Sequence, residues 1–215
     1  MKYHKLVENA AKPKGFWGKM MIRSMNKNHS YLTDWGLDHI EVKHNDRILD
    51  IGCGGGRTVS KLCGLIGNGK VYGIDYSGLC VNKSEKLNSK NILCGKAKIL
   101  QASVSNIPFE DNTFDIASAV ETYYFWQDKV NDLKEILRVL KPNGKILLVF
   151  EMLKSDTDPF KWEKVERSLG IKAVTAEDIS QALLLAGYIN IRTFVKSETS
   201  WICAVAEKPK EWSNI

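Results

Sequence analysis

The sequence Ile-Leu-Asp-Ile-Gly-Cys-Gly-Gly-Gly-Arg at residues 48–57 decides the fold of this chain. It begins as an apolar strand and runs directly into a cluster of glycines. Glycines at positions 52, 54 and 56 leave out the Cβ atoms that would crowd a tight turn. A helix that starts after such a turn presents backbone N–H groups to a ligand. The stretch therefore predicts a strand, a ligand-binding turn and a helix, although the same residues also suit a turn that binds nothing.

A carboxylate follows the next apolar run of the chain. Asp75 ends the run at 71–74 and lies 25 positions after Asp50. In a nucleoside-binding βαβ unit, a carboxylate roughly 20 residues beyond the glycine turn meets the ribose hydroxyls. Ser77 then has the residue type of a helix N-cap. The spacing predicts a nucleoside site shared by two neighbouring strands.

The exact glycine spacing separates two classes of nucleotide-binding protein. A dinucleotide fingerprint, G-x-G-x-x-G, would need its third glycine where this chain has Arg57. The pattern here, G-x-G-x-G after Leu49-Asp50-Ile51, resembles motif I of the class I S-adenosylmethionine-dependent methyltransferases. In that family the position of Asp50 lies near the methionine end of the cofactor, which carries an ammonium and a sulfonium. A carboxylate favours those charges and would repel the pyrophosphate of a dinucleotide.

Later segments occur in the order of the same family. The resemblance implies that Asp75 bridges both ribose hydroxyls through charge-assisted hydrogen bonds. The segment 101–109 resembles the part that meets the adenine amino group, where the family commonly has Asp and this chain has Ser103. Backbone groups at Val104 are therefore expected to carry more of that contact. The implied cofactor-binding residues are Asp50, Gly52, Gly54, Asp75, Tyr76, Ser103, Val104 and Glu121.

Strand and helix patterns alternate along the chain, which predicts a parallel sheet covered on both faces. The predicted strands lie near 47–51, 70–75, 97–101, 114–119 and 144–150, and the helices near 31–41, 56–66, 78–89 and 128–140. Two last strands, 188–195 and 200–207, are joined by a link too short for a parallel crossover and must pair antiparallel. The predicted fold is α/β: a Rossmann-like methyltransferase fold with a seven-stranded, mostly parallel sheet and an antiparallel C-terminal hairpin.

Basic charge is concentrated near the N-terminus. Residues 1–28 carry seven Lys or Arg and one Glu, a surplus equal to the formal net charge of +6 of the whole chain. Apolar residues from Phe16 to Met25 recur there at helical spacing. We expect 1–42 to form a basic amphipathic helical cap on the active site, and 43–215 to form the cofactor-binding domain of one globular unit. A solvated tail and an anchor for nucleic acid or membrane are the alternatives.

Aromatic residues follow the fourth strand directly. The four aromatics at 123–126 cannot all point into one core, and we expect Tyr123 and Tyr124 to face the cavity. Methyl transfer from a sulfonium needs a base only if the accepting atom carries a proton. The candidate catalytic residues are Glu121, Tyr123 and His29, with His39 as a further candidate. No metal is expected, because the five cysteines are scattered without a C-x-x-C pair.

These features together predict a cytoplasmic enzyme that transfers a methyl group from S-adenosyl-L-methionine to a small molecule by in-line displacement, releasing S-adenosyl-L-homocysteine. Unpaired cysteines suit a reducing compartment, and no apolar run approaches the roughly 20 residues of a membrane span. A monomer or homodimer without nucleic acid is expected. The alternatives are an RNA methyltransferase that uses the basic arm, a non-catalytic cofactor sensor, and a dehydrogenase, which Asp50 and Arg57 disfavour.

Overall fold

The computed structural model describes residues 30–154 and 160–211. In chain order the helices are α1 (Ser30–Leu37), α2 (Arg57–Leu65), α3 (Gly78–Leu87), α4 (Ser89–Leu93), α5 (Lys129–Val139), α6 (Glu163–Leu169) and α7 (Ala176–Leu185). The strands are β1 (Arg47–Ile51), β2 (Lys70–Asp75), β3 (Ala97–Gln101), β4 (Phe114–Val120), β5 (Leu140–Phe150), β6 (Ile189–Val195) and β7 (Ile202–Glu207). A short 3₁₀ turn spans Tyr123–Phe125.

The strands form one seven-stranded sheet in the order β3-β2-β1-β4-β5-β7-β6. Strands β1 to β5 pair in parallel, whereas β7 pairs antiparallel with both β5 and β6. The predicted fold class, including the antiparallel C-terminal hairpin, is confirmed. The chain leaves β1 toward β2 on one side and returns to β4 on the other side. This reversal opens a crevice at the carboxyl ends of β1 and β4, the usual ligand position in such sheets.

Three predicted boundaries differ from the structure, two of them because of contacts with distant residues. The predicted helix 78–89 is broken at Asn88, whose buried side-chain amide donates to the carbonyls of Gly56 and Ser84 at 2.9 and 3.0 Å. The fifth strand begins earlier than predicted, because Leu140 already pairs with Phe114 before the turn. The first helix ends at residue 37 instead of 41.

The last helix begins with a capping box. Thr175 accepts a hydrogen bond from the Asp178 N–H, and the Asp178 carboxylate accepts one from the Thr175 N–H. This reciprocal capping box satisfies two donors that a helix N-terminus leaves unpaired. The helix therefore has a fixed start, and its buried face, Ile179 and Leu183, packs against the sheet.

Both faces of the sheet are covered. One core cluster contains the apolar faces of α5 and α7, and the other contains those of α1 and α2. Helix α1 approaches β5 so closely that a Cβ on Gly36 would lie 2.4 Å from Val149 Cγ2. This helix is the described part of the predicted N-terminal cap, and residues 1–29 of that cap lie outside the described residues. Among the described residues, no helix is both long enough and apolar enough to cross a lipid bilayer.

Candidate active site

A cavity of about 610 Å³ lies at the carboxyl edge of the sheet. This volume is within the range of small-molecule sites. Its floor and walls come from the loops that follow β1, β2, β3 and β4. Thr33 of α1 lines it on one side, and the segment Gly170-Ile171-Lys172 between α6 and α7 on the other. Six elements far apart in sequence therefore meet around one space.

The glycine loop needs its glycines for two different reasons. Gly52 and Gly54 have φ values of +66° and +53°, in the left-handed region that glycine adopts without strain. The loops after β1 and β4 approach each other closely at Gly52. A Cβ at this position would lie 2.4 Å from Thr122 Oγ1, so a side chain would clash. A Cβ on Gly54 would meet only the Gly52 carbonyl oxygen, at 3.9 Å. Gly54 thus leaves open space on the cavity side.

Asp75 joins the loops that follow β1 and β2. Its carboxylate accepts the Gly54 N–H at 2.9 Å and the Ser77 N–H at 2.8 Å. Burial raises the pKa of Asp75, and the two N–H groups oppose that rise. Because carboxylate oxygens accept more than one hydrogen bond each, Asp75 retains acceptor capacity on the cavity wall that it lines.

Asp50 lies beneath the cavity and is not part of its wall. The side chain is 1% exposed, and its Oδ1 accepts the Ser118 hydroxyl at 2.8 Å. Oδ2 is buried without a hydrogen-bond partner in the described part of the chain. Burial raises the pKa of Asp50 to about 7, and the charge of Asp75 adds to this rise. The bond to Ser118 holds the carboxyl group between β1 and β4, and a direct contact of Asp50 with a cofactor stays a prediction.

Glu121 occupies a strained position directly after β4. Its φ of 57° is unusual for a residue with a long side chain. The carboxyl group accepts the Glu151 N–H at 2.7 Å and the Tyr124 hydroxyl at 2.5 Å. Burial raises the pKa of Glu121 to about 8, and the charge of Glu151 contributes. This strained, buried acid lines the cavity, where such features are typical of functional sites.

The remaining predicted site residues fall into two groups. Tyr76, Ser103, Val104 and Tyr124 line the cavity together with Gly52, Gly54 and Asp75. Tyr123 does not, which corrects its predicted orientation: it is 1% exposed and stacks on Phe150 with ring centroids 5.6 Å apart. The packing of the 3₁₀ turn directs this ring into the core.

Of the two histidine candidates, only His39 lies among the described residues. His39 packs between Phe194, at 4.2 Å, and Trp35, at 4.9 Å between ring centroids. His39 is absent from the cavity wall. It lies beyond the end of α1, and its ring faces β6. His29 lies outside the described residues.

Several cavity residues were missed from the sequence. Asp132 and Lys129 lie in the first turn of α5, and their charged types at a helix start resemble ordinary capping residues. Lys172 follows Gly170, which ends α6 with a left-handed φ of 66°. A glycine at a helix end is a visible signal for a turn, but it does not show where the turn points.

Comparison with known proteins agrees with this arrangement. A family model described as "Methyltransferase domain" matches residues 49–148. The uncharacterized methyltransferase YdaC of Bacillus subtilis is 26% identical over 187 residues, 86% of this chain and 96% of that protein. A sterol 4-C-methyltransferase of Caenorhabditis elegans is 30% identical over 149 residues, 67% of this chain and 41% of that protein. A demethylmenaquinone methyltransferase of Bacillus mycoides is 34% identical over 113 residues, 50% of this chain and 46% of that protein.

Solved structures with a similar fold include methyltransferases. A methyltransferase of Haloferax volcanii, solved in complex with the Trm112 methyltransferase activator, superposes with a TM-score of 0.74 at 19% identity, over 87% of this chain and 93% of that one. The chain spans less than half the length of the sterol and menaquinone relatives. The chain therefore carries a methyltransferase domain at residues 49–148, in agreement with the S-adenosyl-L-methionine cofactor expected from the sequence.

The residues of the cavity fit that cofactor. Buried carboxyl groups at Asp50 and Asp75 create a negative field under the glycine loop, which suits a ligand with an ammonium and a sulfonium. The loop also leaves the space beside Gly54 that a side chain would fill. Asp75 would hold the ribose, and Gly52 and Gly54 would lie against the amino-acid end.

Replacing Gly54 by alanine tests whether the loop is more than a turn. We expect Gly54→Ala to abolish binding of S-adenosylhomocysteine in calorimetric titration, because the methyl group enters the cavity. The left-handed φ adds about 1–2 kcal/mol of strain. Gly95→Ala is the matched control: Gly95 has φ +79° and open space around it, but precedes β3 at the opposite edge. Normal binding by both variants would contradict the assignment.

The buried acid Asp50 predicts a specific pH dependence of stability. Its folded pKa of about 7 lies above its ordinary value of 3.8, so the folded chain holds a proton that the unfolded chain releases. The stability that this proton contributes is present below about pH 4 and is lost as the pH rises through 7. The full loss is about 4 kcal/mol, of which about 3 kcal/mol falls between pH 5 and pH 8.

Urea unfolding of ligand-free protein at pH 5 and pH 8 measures this effect. We expect the unfolding free energy of Asp50→Asn to exceed that of the wild type by more at pH 8 than at pH 5. Some pH dependence remains in the variant, because burial also raises the pKa of Glu121. Parallel pH profiles for the two proteins would show that Asp50 does not titrate in this range.

Proposed function

We propose that this methyltransferase acts on a small molecule with a planar or apolar part. The observation that carries the proposal is the lining of the 610 Å³ cavity, which includes three consecutive aromatic residues. Tyr124, Phe125 and Trp126 form its aromatic wall, which suits a planar acceptor. The acceptors in the names of the sterol and demethylmenaquinone relatives have the same character.

In this proposal the protein contributes mainly alignment and exclusion of water. The cofactor supplies an electrophilic methyl group on a sulfonium, which is a good leaving group. Asp75 and the glycine loop fix the cofactor, and the aromatic wall orients the acceptor, so the two reactants lie in line. Thr33 and the segment 170–172 limit water from either side.

Glu121 is the proposed general base where the acceptor carries a proton. It lines the cavity, and its raised pKa of about 8 gives it the proton affinity that this role requires near neutral pH. The hydroxyl of Tyr124 and the N–H of Glu151 hold the carboxyl group in a fixed orientation. Ionised Glu121 would accept the acceptor's proton as the methyl group is transferred.

The domain arrangement and assembly are also proposed. Residues 1–42 would cap a core formed by 43–215, a role supported by the contact of Thr33 with the cavity and of α1 with β5. A monomer or homodimer in the cytoplasm is our working assembly. The Trm112 complex of the Haloferax volcanii neighbour makes an activator subunit the alternative.

Removal of the Asp75 carboxylate tests the cofactor site. We expect Asp75→Ala to weaken binding of S-adenosylhomocysteine by about 2–3 kcal/mol, since charge-assisted bonds to the ribose are lost. Asp115→Ala is the control, because Asp115 pairs with Lys141 at the amino end of β4. An unchanged dissociation constant for Asp75→Ala, in calorimetry on protein with normal circular dichroism, would refute the ribose contact.

The acceptor class is tested with methyl-labelled cofactor. The purified chain is incubated with a deproteinised metabolite and lipid extract or with total RNA, and label is counted in each product. We expect label in the small-molecule fraction, and none with Asp75→Ala. Label recovered in RNA and released by ribonuclease would instead favour the nucleic-acid alternative.

A further inference from the structure

The adenine end of the cavity has a sequence change that needs a physical substitute. At position 103 the related enzymes commonly have an aspartate, which this chain replaces with serine. The exocyclic amino group of adenine is a hydrogen-bond donor and requires an acceptor. The Ser103 hydroxyl already accepts the Ser105 N–H at 3.2 Å within its own loop. A neutral hydroxyl engaged in this way is a weak replacement for a carboxylate.

A carboxylate from a different element reaches the same place. Asp132, in the first turn of α5, lines the cavity together with Ser103, Val104 and Ser105. Its Oδ1 accepts the Ser105 hydroxyl at 2.6 Å, which joins it directly to the loop after β3. The acid therefore lies beside the position from which the usual aspartate is missing.

The second oxygen of Asp132 is in an unusual state. The residue is 1% exposed; burial raises its pKa, and a backbone hydrogen bond from Asp128 helps to oppose that rise. Oδ2 nevertheless has no hydrogen-bond partner of normal geometry in the part of the chain that the structure describes. A buried polar atom with no partner is costly and calls for an explanation. Because the side chain lines the cavity, a donor on a ligand would satisfy this oxygen.

The nearest cation on the same helix attracts the Asp132 carboxylate through its charge but does not donate a hydrogen bond to it among the described residues. Lys129 lies one turn before Asp132, but its ammonium donates to the Trp126 carbonyl at 3.4 Å. The same ammonium lies 5.6 Å from the centroid of the Tyr123 ring. Asp132 is thus held at one oxygen by Ser105, and its other oxygen is buried without a hydrogen-bond partner among the described residues.

We propose that the Asp132 carboxylate accepts the exocyclic amino group of the cofactor's adenine and replaces the aspartate missing at position 103. Ser105 is then a positioning residue, because its hydroxyl fixes which oxygen faces the cavity. The assignment rests on the cofactor site proposed above. Asp132 would then determine the specificity for adenine, although it lies on α5, outside the sequence motifs that indicated the cofactor site.

The test compares two ligands that differ at this group and at the adjacent N1, which is an acceptor in adenine and carries a hydrogen in hypoxanthine. S-Adenosylhomocysteine carries an amino group at the purine 6-position, and S-inosylhomocysteine carries a carbonyl oxygen. We expect the wild type to prefer the adenosine ligand, because the carbonyl would face a carboxylate. In Asp132→Asn the Ser105 hydroxyl retains the amide oxygen, so Nδ2 takes the place of Oδ2 and presents a donor.

We therefore expect Asp132→Asn to bind S-adenosylhomocysteine about 10- to 100-fold more weakly in calorimetry, and to prefer the inosine ligand. Asp128→Asn is the matched control: it removes a charge at the start of the same helix, yet Asp128 is exposed and lies outside the cavity wall. The control should keep the wild-type preference. Circular dichroism and thermal unfolding verify that both variants fold.

An Asp132→Asn variant with the wild-type ratio of the two dissociation constants would overturn the assignment. Equal loss of both ligands would do the same, since it would indicate a structural role. A wild-type chain that binds neither ligand would instead overturn the proposed function, and this inference with it.

Discussion

The candidate site depends on one side chain that accepts hydrogen bonds from two loops. Asp75 binds the N–H groups of Gly54 and Ser77, at 2.9 and 2.8 Å. A backbone bond from Cys53 to the Ile74 carbonyl, also 2.9 Å, reinforces the link. Through these contacts the end of β2 fixes the left-handed turn after β1. The same carboxylate is the proposed ribose ligand, so the group that binds the cofactor also shapes the loop around it.

This arrangement concentrates negative charge in a poorly solvated place. Asp50, Asp75 and Glu121 are all buried, and the pKa of each is raised by that burial. The charge of Asp75 adds to the effect at Asp50, and that of Glu151 to the effect at Glu121. A cationic ligand reduces these electrostatic costs, since an opposite charge favours the ionised form. Cofactor binding is therefore expected to be coupled to proton release from the site.

Hydrogen bonds elsewhere in the molecule hold the segments around the cavity in place. Asn88 breaks the helix after β2 and donates to the Gly56 carbonyl, which fixes the start of α2. On the far side, the indole N–H of Trp162 donates to the Leu153 carbonyl at 3.0 Å, and the Ala173 N–H to Glu166 at 2.8 Å. These bonds hold α6 and the chain after it against the body, so residues 170–172 can line the cavity.

Much of the fold follows from local sequence patterns. Alternating strands and helices, the short link before β7 and the glycine turn at 52–56 each act over a few residues. Such signals specify a parallel sheet with a C-terminal hairpin and the place of Asp75 at its edge, because the carboxyl ends of parallel strands share one side. The boundaries that were mispredicted depend on distant partners: Asn88 on Gly56, and Leu140 on Phe114.

The orientation of side chains was decided only by the tertiary structure. Tyr123 and Tyr124 are adjacent, yet one stacks on Phe150 and the other faces the cavity. Asp50 lies in the strongest motif of the chain, but its bond to Ser118 on β4 holds it beneath the site. Asp132 lies in no motif, and the packing of α5 beside the β3 loop places it in the wall. The sequence by itself determined the sheet, the glycine turn and the class of cofactor, because these depend on short-range patterns. The tertiary structure decided which carboxyl groups line the cavity, because that depends on contacts between segments far apart in the chain.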